Sequence, residues 1–396
     1  MTPTRGPGGG TTTTGCWNGT LSSTGFPQPR ASENAWSAMD TCRRTTFPGF
    51  SIGWTESTGK IRNMGDASDL VYRLELTHEG GPERYAGSEL DVRSVVARIP
   101  QDVKDELRFD QIPWGRFAHS FGSGEDVPEY LSRLGSEDIE AVGKALSILG
   151  DCICHQCATS PPAALAVPFL VRIARSPTAH WRAEILGLVG RAGRCAHDGD
   201  EMRAGLLQIT GRDDRLCYDV AGYLENWSVQ AARIAITSDA PLLVALLDDA
   251  DAAVRSSACY ALATALDGTE SILSALHRRL GVERVPAARM SLILAIAQLA
   301  RVHGDEPTMT NLRQWWADPD RPTDVRVSAA LAWRYMGGDP VPDDLRSLLT
   351  TAVTDELAES LADVPWMKDV EFRAGTGLRR SVRLALDLEG DRQERL

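Results

Sequence analysis

The amino-acid sequence predicts an all-α protein, an α-solenoid of about five or six helical hairpins that spans residues 111–360. Apolar residues recur there at the spacing of amphipathic helices, in one segment after another. Short turns, either acidic or rich in proline and glycine, separate these segments. The second helices of successive hairpins share an arginine near their start, and Arg255, Arg289 and Arg326 follow one another at intervals of 34 and 37 residues. A period in the thirties with two helices per unit is typical of helical repeat proteins.

The segment Pro241–Leu266 is the clearest unit of this array. It predicts two amphipathic helices joined by an acidic turn, Asp248–Asp251, which ends the first helix and offers an N-cap to the second. A single hairpin of this kind leaves apolar faces uncovered, so neighbouring hairpins must pack against it. The residues of the two faces are Leu242, Leu243, Leu246 and Leu247 in the first helix and Val254, Ala258, Ala261, Leu262 and Ala265 in the second.

Further helices follow by the same reasoning along the chain. Pro128 lies in the first turn of one helix, where a missing N–H is tolerated, and Ser136 is the expected N-cap of the next. The predicted helices are 101–107, 126–134 and 136–149, then the pairs 163–174 with 180–189, 203–209 with 216–227, 271–280 with 288–302 and 307–316 with 324–336, and a last helix over 342–359.

Residues outside 111–360 lack this pattern. The stretch 1–65 is rich in Gly, Thr, Ser and Pro, and this composition predicts disorder because it cannot bury enough apolar surface to offset chain entropy. A later start of translation, at Met39 or Met64, is the alternative explanation for this stretch. We expect residues 66–110 to form an irregular lead-in and residues 361–396 to form a charged, irregular C-terminal tail.

Composition limits the kinds of partner. The 396 residues carry 54 acidic and 42 basic side chains, a net charge of −12, which disfavours general binding to nucleic-acid phosphates. No apolar run approaches the roughly 20 residues needed to span a bilayer, and the N-terminus lacks the apolar core of a secretory signal. We therefore expect a cytoplasmic protein with no membrane partner, whose eight cysteines stay reduced.

The block Asp248–Leu262 resembles a HEAT repeat of the short bacterial kind, which is also found in phycobilin lyases. Thr323–Leu331 repeats the core of this block, and Val285–Ile293 is a weaker copy. Two other segments, Ile112–Pro128 and Ala164–Leu170, resemble parts of uncharacterised actinobacterial HEAT-repeat proteins. The resemblance covers about residues 110–360 and implies the HEAT-repeat fold without a particular biochemical role.

The resemblance also implies a role for the repeated arginine, which reaches an acidic residue of a turn and orders the stacking of repeats. An anion-binding row of arginines is the alternative. We favour stacking because a guanidinium beside an acidic turn finds a bidentate partner within the protein. The arginines are Arg182, Arg255, Arg289 and Arg326, and the candidate acids are Asp249, Asp251 and Asp324.

The chain has one dense cluster of soft metal ligands, formed by Cys152, Cys154, His155 and Cys157. Structural zinc sites favour two closely spaced ligand pairs, and only Cys154 and Cys157 have the CxxC spacing. The pair Cys195 and His197 is spaced atypically. We expect these cysteines to pack as small hydrophobic residues and expect no cofactor, with a zinc site and a reactive thiol as the alternatives.

The sequence contains no local catalytic motif. Its seven histidines are scattered, it has no GxSxG or HExxH segment, and its glycine-rich stretches do not continue into a phosphate-binding loop. DNA glycosylases built on HEAT-like repeats and bilin lyases are enzymatic precedents for this fold. Asp318 and Asp320 beside Trp315 and Trp316 would imitate a glycosylase site, but the acidic charge disfavours a nucleic-acid groove.

Tryptophans provide the best functional lead. Trp315 and Trp316 are adjacent, so one narrow helical stripe cannot bury both, and exposed tryptophan is enriched at protein interfaces. The other interpretation is that both wedge between repeats. The sequence thus predicts a non-catalytic scaffold or adaptor that binds another protein on the concave surface of the second helices, with an immunity protein against a bacterial toxin as an alternative. The candidate partner contacts are Trp114, His119, Trp181, Trp315 and Trp316.

Overall fold

A computed structural model describes residues 82–155, 158–194, 207, 218–219, 221–370 and 377–388. This part of the chain is all-α, as the sequence predicts, and contains 17 α-helices with two short antiparallel strand pairs. The stretch 1–65, for which the sequence predicts disorder, lies outside the described residues, as does nearly all of the predicted helix 203–209.

The helices differ widely in length, and the two strand pairs are small hairpins beside the longer helices. β1 (Ala118–His119) pairs with β2 (Gly122–Ser123), and β3 (Cys154–His155) pairs with β4 (Ala158–Thr159). The helices are α1 (Val92–Ala97), α2 (Gln101–Asp105), α3 (Val127–Arg133), α4 (Ile139–Ile153), α5 (Pro161–Arg175), α6 (Arg182–Ala192), α7 (Glu225–Ser238), α8 (Ala240–Ala245), α9 (Ala252–Leu262), α10 (Thr269–Leu280), α11 (Pro286–His303), α12 (Glu306–Ala317), α13 (Thr323–Tyr335), α14 (Asp343–Thr351), α15 (Asp355–Ser360), α16 (Pro365–Val370) and α17 (Gly377–Ala385). Short 3-10 turns occur at Pro82–Tyr85, Phe109–Gln111, Trp114–Arg116, Gly124–Asp126 and Leu246–Asp248.

Four helical hairpins form the centre of the fold: α5 with α6, α8 with α9, α10 with α11, and α12 with α13. Their second helices, α6, α9, α11 and α13, contact one another side by side in this order, and we call them the second-helix row. Helix α7 lies outside this pattern and packs against α1 and α5. The row positions the residues discussed below, because each of its helices contributes side chains to its neighbours.

Helix α11 shows why the sequence forms these elements. It begins at Pro286, where the missing N–H belongs to the unbonded first turn, and it ends before Gly304, whose φ of +73° is left-handed. Between these ends, the run Met290–Ala300 is buried on all sides. A helix that is apolar around its whole circumference is stable only when other elements surround it.

Close packing between α6 and α9 depends on a missing side chain. A Cβ atom built at Gly190 would collide with the ring of Tyr260 in α9. At Gly187, one turn earlier, an added Cβ would meet only the end of the Arg191 side chain, at 3.9 Å. Glycine at position 190 therefore lets the two helices approach, at the usual entropic cost of glycine within a helix.

Two predicted helix starts are wrong. Asp138, not Ser136, caps α4, and its carboxylate accepts hydrogen bonds from the N–H groups of residues 140 and 141. The Ser136 hydroxyl instead accepts from the Asp138 N–H and forms a turn ahead of the helix. The helix predicted over 216–227 begins at Glu225, because Gly222 has a φ of +82° and residues 218 and 224 form a β-bridge.

The predicted helix over 342–359 is two helices, α14 and α15. The break comes at Thr354, whose hydroxyl accepts a hydrogen bond from the Leu357 N–H and caps α15. A side chain that can bond its own backbone competes with the helix, and here it starts a new one.

The flanking segments are more regular than the sequence suggests. The predicted irregular lead-in contains α1, which the sequence does not predict, and α2, which lies within the predicted helix 101–107. Helix α1 packs against α7, and α2 packs against α5. The predicted irregular tail contains α16 and α17, of which α16 contacts α9 and α17 contacts α13. Trp366, Met367 and Leu378 are buried there, so the segment is part of the core. Short segments of this kind escape detection because packing, and not helix propensity, stabilises them.

Among the described residues, no single helix is both long and apolar enough to cross a membrane. Helix α7 and the segment Ala240–Asp248 pass that test only when taken together, and they are bent by 62° relative to each other.

Candidate functional site

Arginines of the second-helix row bind carboxylates in the turn of the following hairpin. Arg182 of α6 donates to both carboxylate oxygens of Asp249, at 2.6 and 3.2 Å. Arg255 of α9 donates to both oxygens of Glu283, at 2.7 and 2.9 Å. These contacts join successive hairpins through bidentate ion pairs, which are the strongest form of this interaction.

A third ion pair, with a single hydrogen bond, is formed by Arg289 of α11 and Asp324 of α13. Their side-chain atoms lie 2.7 Å apart for Nε and Oδ2, and Arg289 Nη2 donates to Oδ1 at 3.0 Å. Two residues expected in this series do something else. Asp251 caps α9 by accepting from the N–H of residue 253, and Arg326 donates to the backbone oxygen of Trp316.

The ion pairs change the acidity of their carboxyl groups. The hydrogen bond from Arg182 lowers the pKa of Asp249. Burial alone raises the pKa of Glu283, but hydrogen bonds from Arg255, Arg279 and nearby backbone N–H groups lower it to about 2. Arg182, Arg255 and Arg289 therefore have their charge neutralised within the protein. An anion would have to displace a paired carboxylate to bind any of them, which disfavours an anion-binding row.

Three of the predicted partner contacts are buried, and for these the prediction is wrong. The Trp114 indole N–H donates to the Phe109 backbone oxygen at 2.8 Å, inside the core. Trp316 is 2% exposed, and its ring centroid lies 6.0 Å from that of Trp333. His119 is buried as well. Sequence spacing does not reveal which side of a helix or turn the neighbouring elements cover, and here they cover these rings.

Trp315 is half-buried. Its ring lies edge-on to the His277 ring with centroids 6.2 Å apart. The adjacent tryptophans are thus divided between two environments: Trp316 is fully enclosed by protein, while Trp315 is only partly covered.

Trp181 is the most exposed of the predicted aromatic contacts. Its side chain is 37% exposed, and its indole N–H donates to the backbone oxygen of Ile139 at 3.1 Å. Ile139 is itself 55% exposed, so the two residues form an apolar patch at the start of α4 and α6. Trp181 has a φ of +58°, a conformation that bulky residues rarely adopt. Residues held in such a conformation often belong to functional sites.

A second cluster joins His119 of β1, Asp126 and Cys152 of α4. Potential ligand atoms of the three side chains lie within 4.8 Å of one another. His119 Nδ1 accepts from the Phe121 N–H at 3.1 Å, so its Nε2 carries the proton and donates to Asp126 at 2.8 Å. Both ring nitrogens of the histidine are therefore occupied.

This hydrogen bonding disfavours chemistry at the His119 cluster. Burial, together with the charges of Asp126 and Asp151, raises the pKa of Cys152 to about 12, so the thiol stays protonated and is a poor nucleophile. A metal bound at His119 Nε2 would require the ring proton to lie on Nδ1. That proton would then point at the Phe121 N–H, which now donates to Nδ1. The cluster is better suited to fixing the β1–β2 turn against α4.

The metal ligands suggested by the sequence do not form one site among the described residues. Cys152 belongs to the His119 cluster, whereas Cys154 and His155 follow it in β3. Neighbouring residues in a strand point to opposite faces. Burial raises the pKa of Cys154 to about 11, and the His155 ring packs edge-on against Phe121, with centroids 4.9 Å apart. Cys157, Cys195 and His197 lie outside the described residues.

Sequence reasoning missed a polar pocket on the second-helix row. We call it the Trp366 pocket and define it by Arg194, which follows α6, Tyr260 of α9 and Gln298 of α11. The Trp366 indole N–H donates to Gln298 Oε1 at 2.9 Å, and the Trp366 ring meets Tyr260 edge-on at 4.9 Å between centroids. The Arg194 guanidinium stacks on the Tyr260 ring, with its central carbon 3.5 Å from the ring centroid.

Hydrogen bonds hold the walls of the Trp366 pocket in place. Arg194 donates to the backbone oxygens of Gly190 and Tyr260, and Gln298 Nε2 donates to the Ala263 oxygen at 3.1 Å. Burial lowers the pKa of Arg194 and raises the pKa of the Tyr260 hydroxyl. The pocket therefore presents an oriented amide oxygen and an aromatic face to its occupant. The only hint in the sequence is a tryptophan within a segment otherwise expected to be an irregular tail.

Comparison with models of known protein families gives no match to this chain, and comparison with curated proteins gives no significant match.

Proposed function

We propose that this protein is a non-catalytic scaffold or adaptor that binds another protein on the face of its second helices. We further propose that the hairpins form an α-solenoid of the HEAT type, with the second-helix row as its concave face. In such architectures each unit contacts only its neighbours, and the stacked inner helices provide an extended surface for binding.

The observation that carries this proposal is the position of α16. This six-residue helix lies on the second-helix row, and its tryptophan fills the Trp366 pocket. The face thus already binds a short helical segment, which belongs to the same chain. Aromatic anchors in pockets with oriented hydrogen-bonding groups are typical of protein interfaces.

Other features of the described residues agree with a binding role. The His119 cluster has a protonated thiol and a histidine with both nitrogens occupied, so it lacks an activated nucleophile. The exposed patch of Trp181 and Ile139 offers a second apolar surface. The arginines that would bind phosphate are paired with carboxylates.

The test is affinity purification from the native host with mass-spectrometric identification of partners, followed by titration calorimetry with the purified partner. We compare the wild type with Arg191→Glu. Arg191 is exposed in the last turn of α6, and its charge acts on Tyr260 of α9. Arg278→Glu, the same change at an exposed position of α10, is the matched control. We expect the first variant to bind about fivefold or more weakly, and the control to bind as the wild type does.

Two results would contradict the proposal. One is failure to recover any partner reproducibly, and the other is equal weakening by the two variants. If the recovered partner is a toxin encoded by a neighbouring gene, the scaffold is an immunity protein. In that case the purified chain should also suppress the toxin's activity.

A further inference from the structure

We propose that the Trp366 pocket recognises a short helical segment of the partner protein that carries a tryptophan followed three residues later by an aspartate. Helix α16 is then an internal copy of this ligand, which the partner displaces. The inference rests on the proposed function, because it states the chemistry of the segment bound at the same face.

The pocket selects tryptophan through two features. Gln298 Oε1 accepts the indole N–H at 2.9 Å, and Gln298 is itself oriented by its bond to the Ala263 oxygen. Phenylalanine lacks an N–H and would leave this buried oxygen with one partner fewer. The Tyr260 ring, on which Arg194 also stacks, meets the indole at an interplanar angle of 87°. A large flat ring is needed to fill this space.

The aspartate preference comes from the rim of the pocket. Asp369 is exposed, and one of its carboxylate oxygens accepts a hydrogen bond from the Tyr260 hydroxyl. The Arg194 guanidinium attracts the same carboxylate through its charge. Residues three apart lie on one face of a helix, so Trp366 and Asp369 reach Tyr260 together. A helical ligand therefore needs both residues at this spacing.

Two observations indicate that α16 can leave the pocket. The helix has only six residues, too few to be stable without its docking contacts. The pocket walls carry polar groups of Arg194 and Gln298, which water can hydrate once the indole departs. Helix α16 also packs against α17, where the Ser381 hydroxyl donates to Met367 Sδ at 3.7 Å, so its release must break this contact as well. Helix α17 keeps its own contact with α13, where the Tyr335 hydroxyl donates to the Ser381 backbone oxygen at 2.9 Å.

Competition within the chain has a measurable consequence. A segment tethered near its site acts at an effective concentration in the millimolar range. If a free peptide binds the empty pocket with a Kd of about 10 μM, the tethered segment weakens its apparent affinity about a hundredfold. Weakening the internal segment should restore that affinity.

The experiment is fluorescence anisotropy with a labelled peptide of residues 361–370 and the full-length chain. We compare the wild type with Trp366→Ala, which empties the pocket. We expect the peptide to bind this variant at least tenfold more tightly than the wild type. The same peptide with alanine at position 366 should not bind it. Adding Tyr260→Phe to the variant should weaken binding several-fold, because the aspartate loses its donor.

Controls separate pocket opening from general damage. Trp181→Ala removes an exposed tryptophan far from the pocket and should leave peptide binding at the wild-type level. Asp369→Asn keeps the indole in place and removes the carboxylate charge at the rim, so it should raise peptide affinity several-fold even if Trp366→Ala fails to fold. Circular dichroism identifies the folded variants.

Three outcomes would overturn the inference. The first is equal peptide affinity for the wild type and for both pocket variants. The second is undiminished binding of the peptide without tryptophan. The third is a wild-type dimer by light scattering that Trp366→Ala abolishes, which would assign the pocket to a second copy of this chain. If a partner is recovered from the host yet the peptide never exchanges, the scaffold proposal stands and this inference alone fails.

Discussion

The ion pair between Arg255 and Glu283 provides the sharpest test of how the hairpins are held together. The two side chains are 8% and 2% exposed, and they share two hydrogen bonds. We expect Glu283→Gln to lower the free energy of unfolding by about 3–5 kcal/mol, because it leaves a buried guanidinium without a counter-charge. The pKa of Glu283 gives a consistent magnitude. Its fall from 4.5 to about 2 corresponds to about 3 kcal/mol at about 1.4 kcal/mol per unit.

The measurement is urea unfolding at pH 7, followed by tryptophan fluorescence and far-UV circular dichroism. Glu270→Gln makes the same chemical change at an exposed position of α10 and should cost less than about 0.5 kcal/mol. Replacing both partners, Arg255→Met with Glu283→Leu, should recover most of the loss, because no charge is then left buried.

The pH dependence follows from the direction of the shift. Since the pKa of Glu283 is lowered in the fold, its contribution is fully present above pH 4.5 and is lost as the pH falls towards about 2. The wild type should lose this stability in acid, and Glu283→Gln should lack that part of the acid transition. An unfolding free energy of Glu283→Gln within about 0.5 kcal/mol of the wild type would refute the reasoning.

Three further predictions concern other buried groups. Burial raises the pKa of Asp219 to about 7, so the free energy of unfolding should fall as the pH rises from about 4 to 7 and the carboxyl ionises. Asp219→Asn should remove up to about 4 kcal/mol of this pH dependence, measured by urea unfolding. An unchanged pH profile in the variant would contradict the prediction. Gly190→Ala should lower the free energy of unfolding by about 1–3 kcal/mol, because the added Cβ collides with Tyr260. Gly187→Ala in the same helix should be neutral or stabilising. Equal melting temperatures for the two variants would contradict this packing. The Cys152 thiol, with its pKa raised to about 12, should not react with a thiol reagent in the native protein at pH 8. Native wild type and native Cys152→Ser should therefore consume equal amounts of reagent. Faster consumption by the wild type would show an accessible thiolate.

Local features of the sequence determined the helices. Apolar spacing, proline in first turns and an aspartate cap locate α9, α11 and α13 within a few residues, because these signals act within one or two turns of the chain. The errors have two origins. The helix over 342–359 breaks at a local cap, the Thr354 hydroxyl, that apolar spacing does not reveal. Helix α16 depends on a longer-range effect, because Trp366 is buried against the second-helix row.

The sequence also indicated that Arg182, Arg255 and Arg289 meet carboxylates, since acidic turns and arginines recur together. It could not reveal that Glu283 is the partner of Arg255, because this contact depends on how two hairpins pack. For the same reason it could not distinguish the enclosed Trp114 from the exposed Trp181.

The sequence by itself thus determined the class of fold and the position of most helices, since hydrophobic periodicity and capping are local. Only the tertiary structure decided which face of each helix is covered and by what. The Trp366 pocket combines Tyr260 of α9 and Gln298 of α11 with Arg194, which follows α6, and it is filled by a residue from the predicted tail. Such a site exists only through contacts between residues distant in sequence, and no local pattern records them.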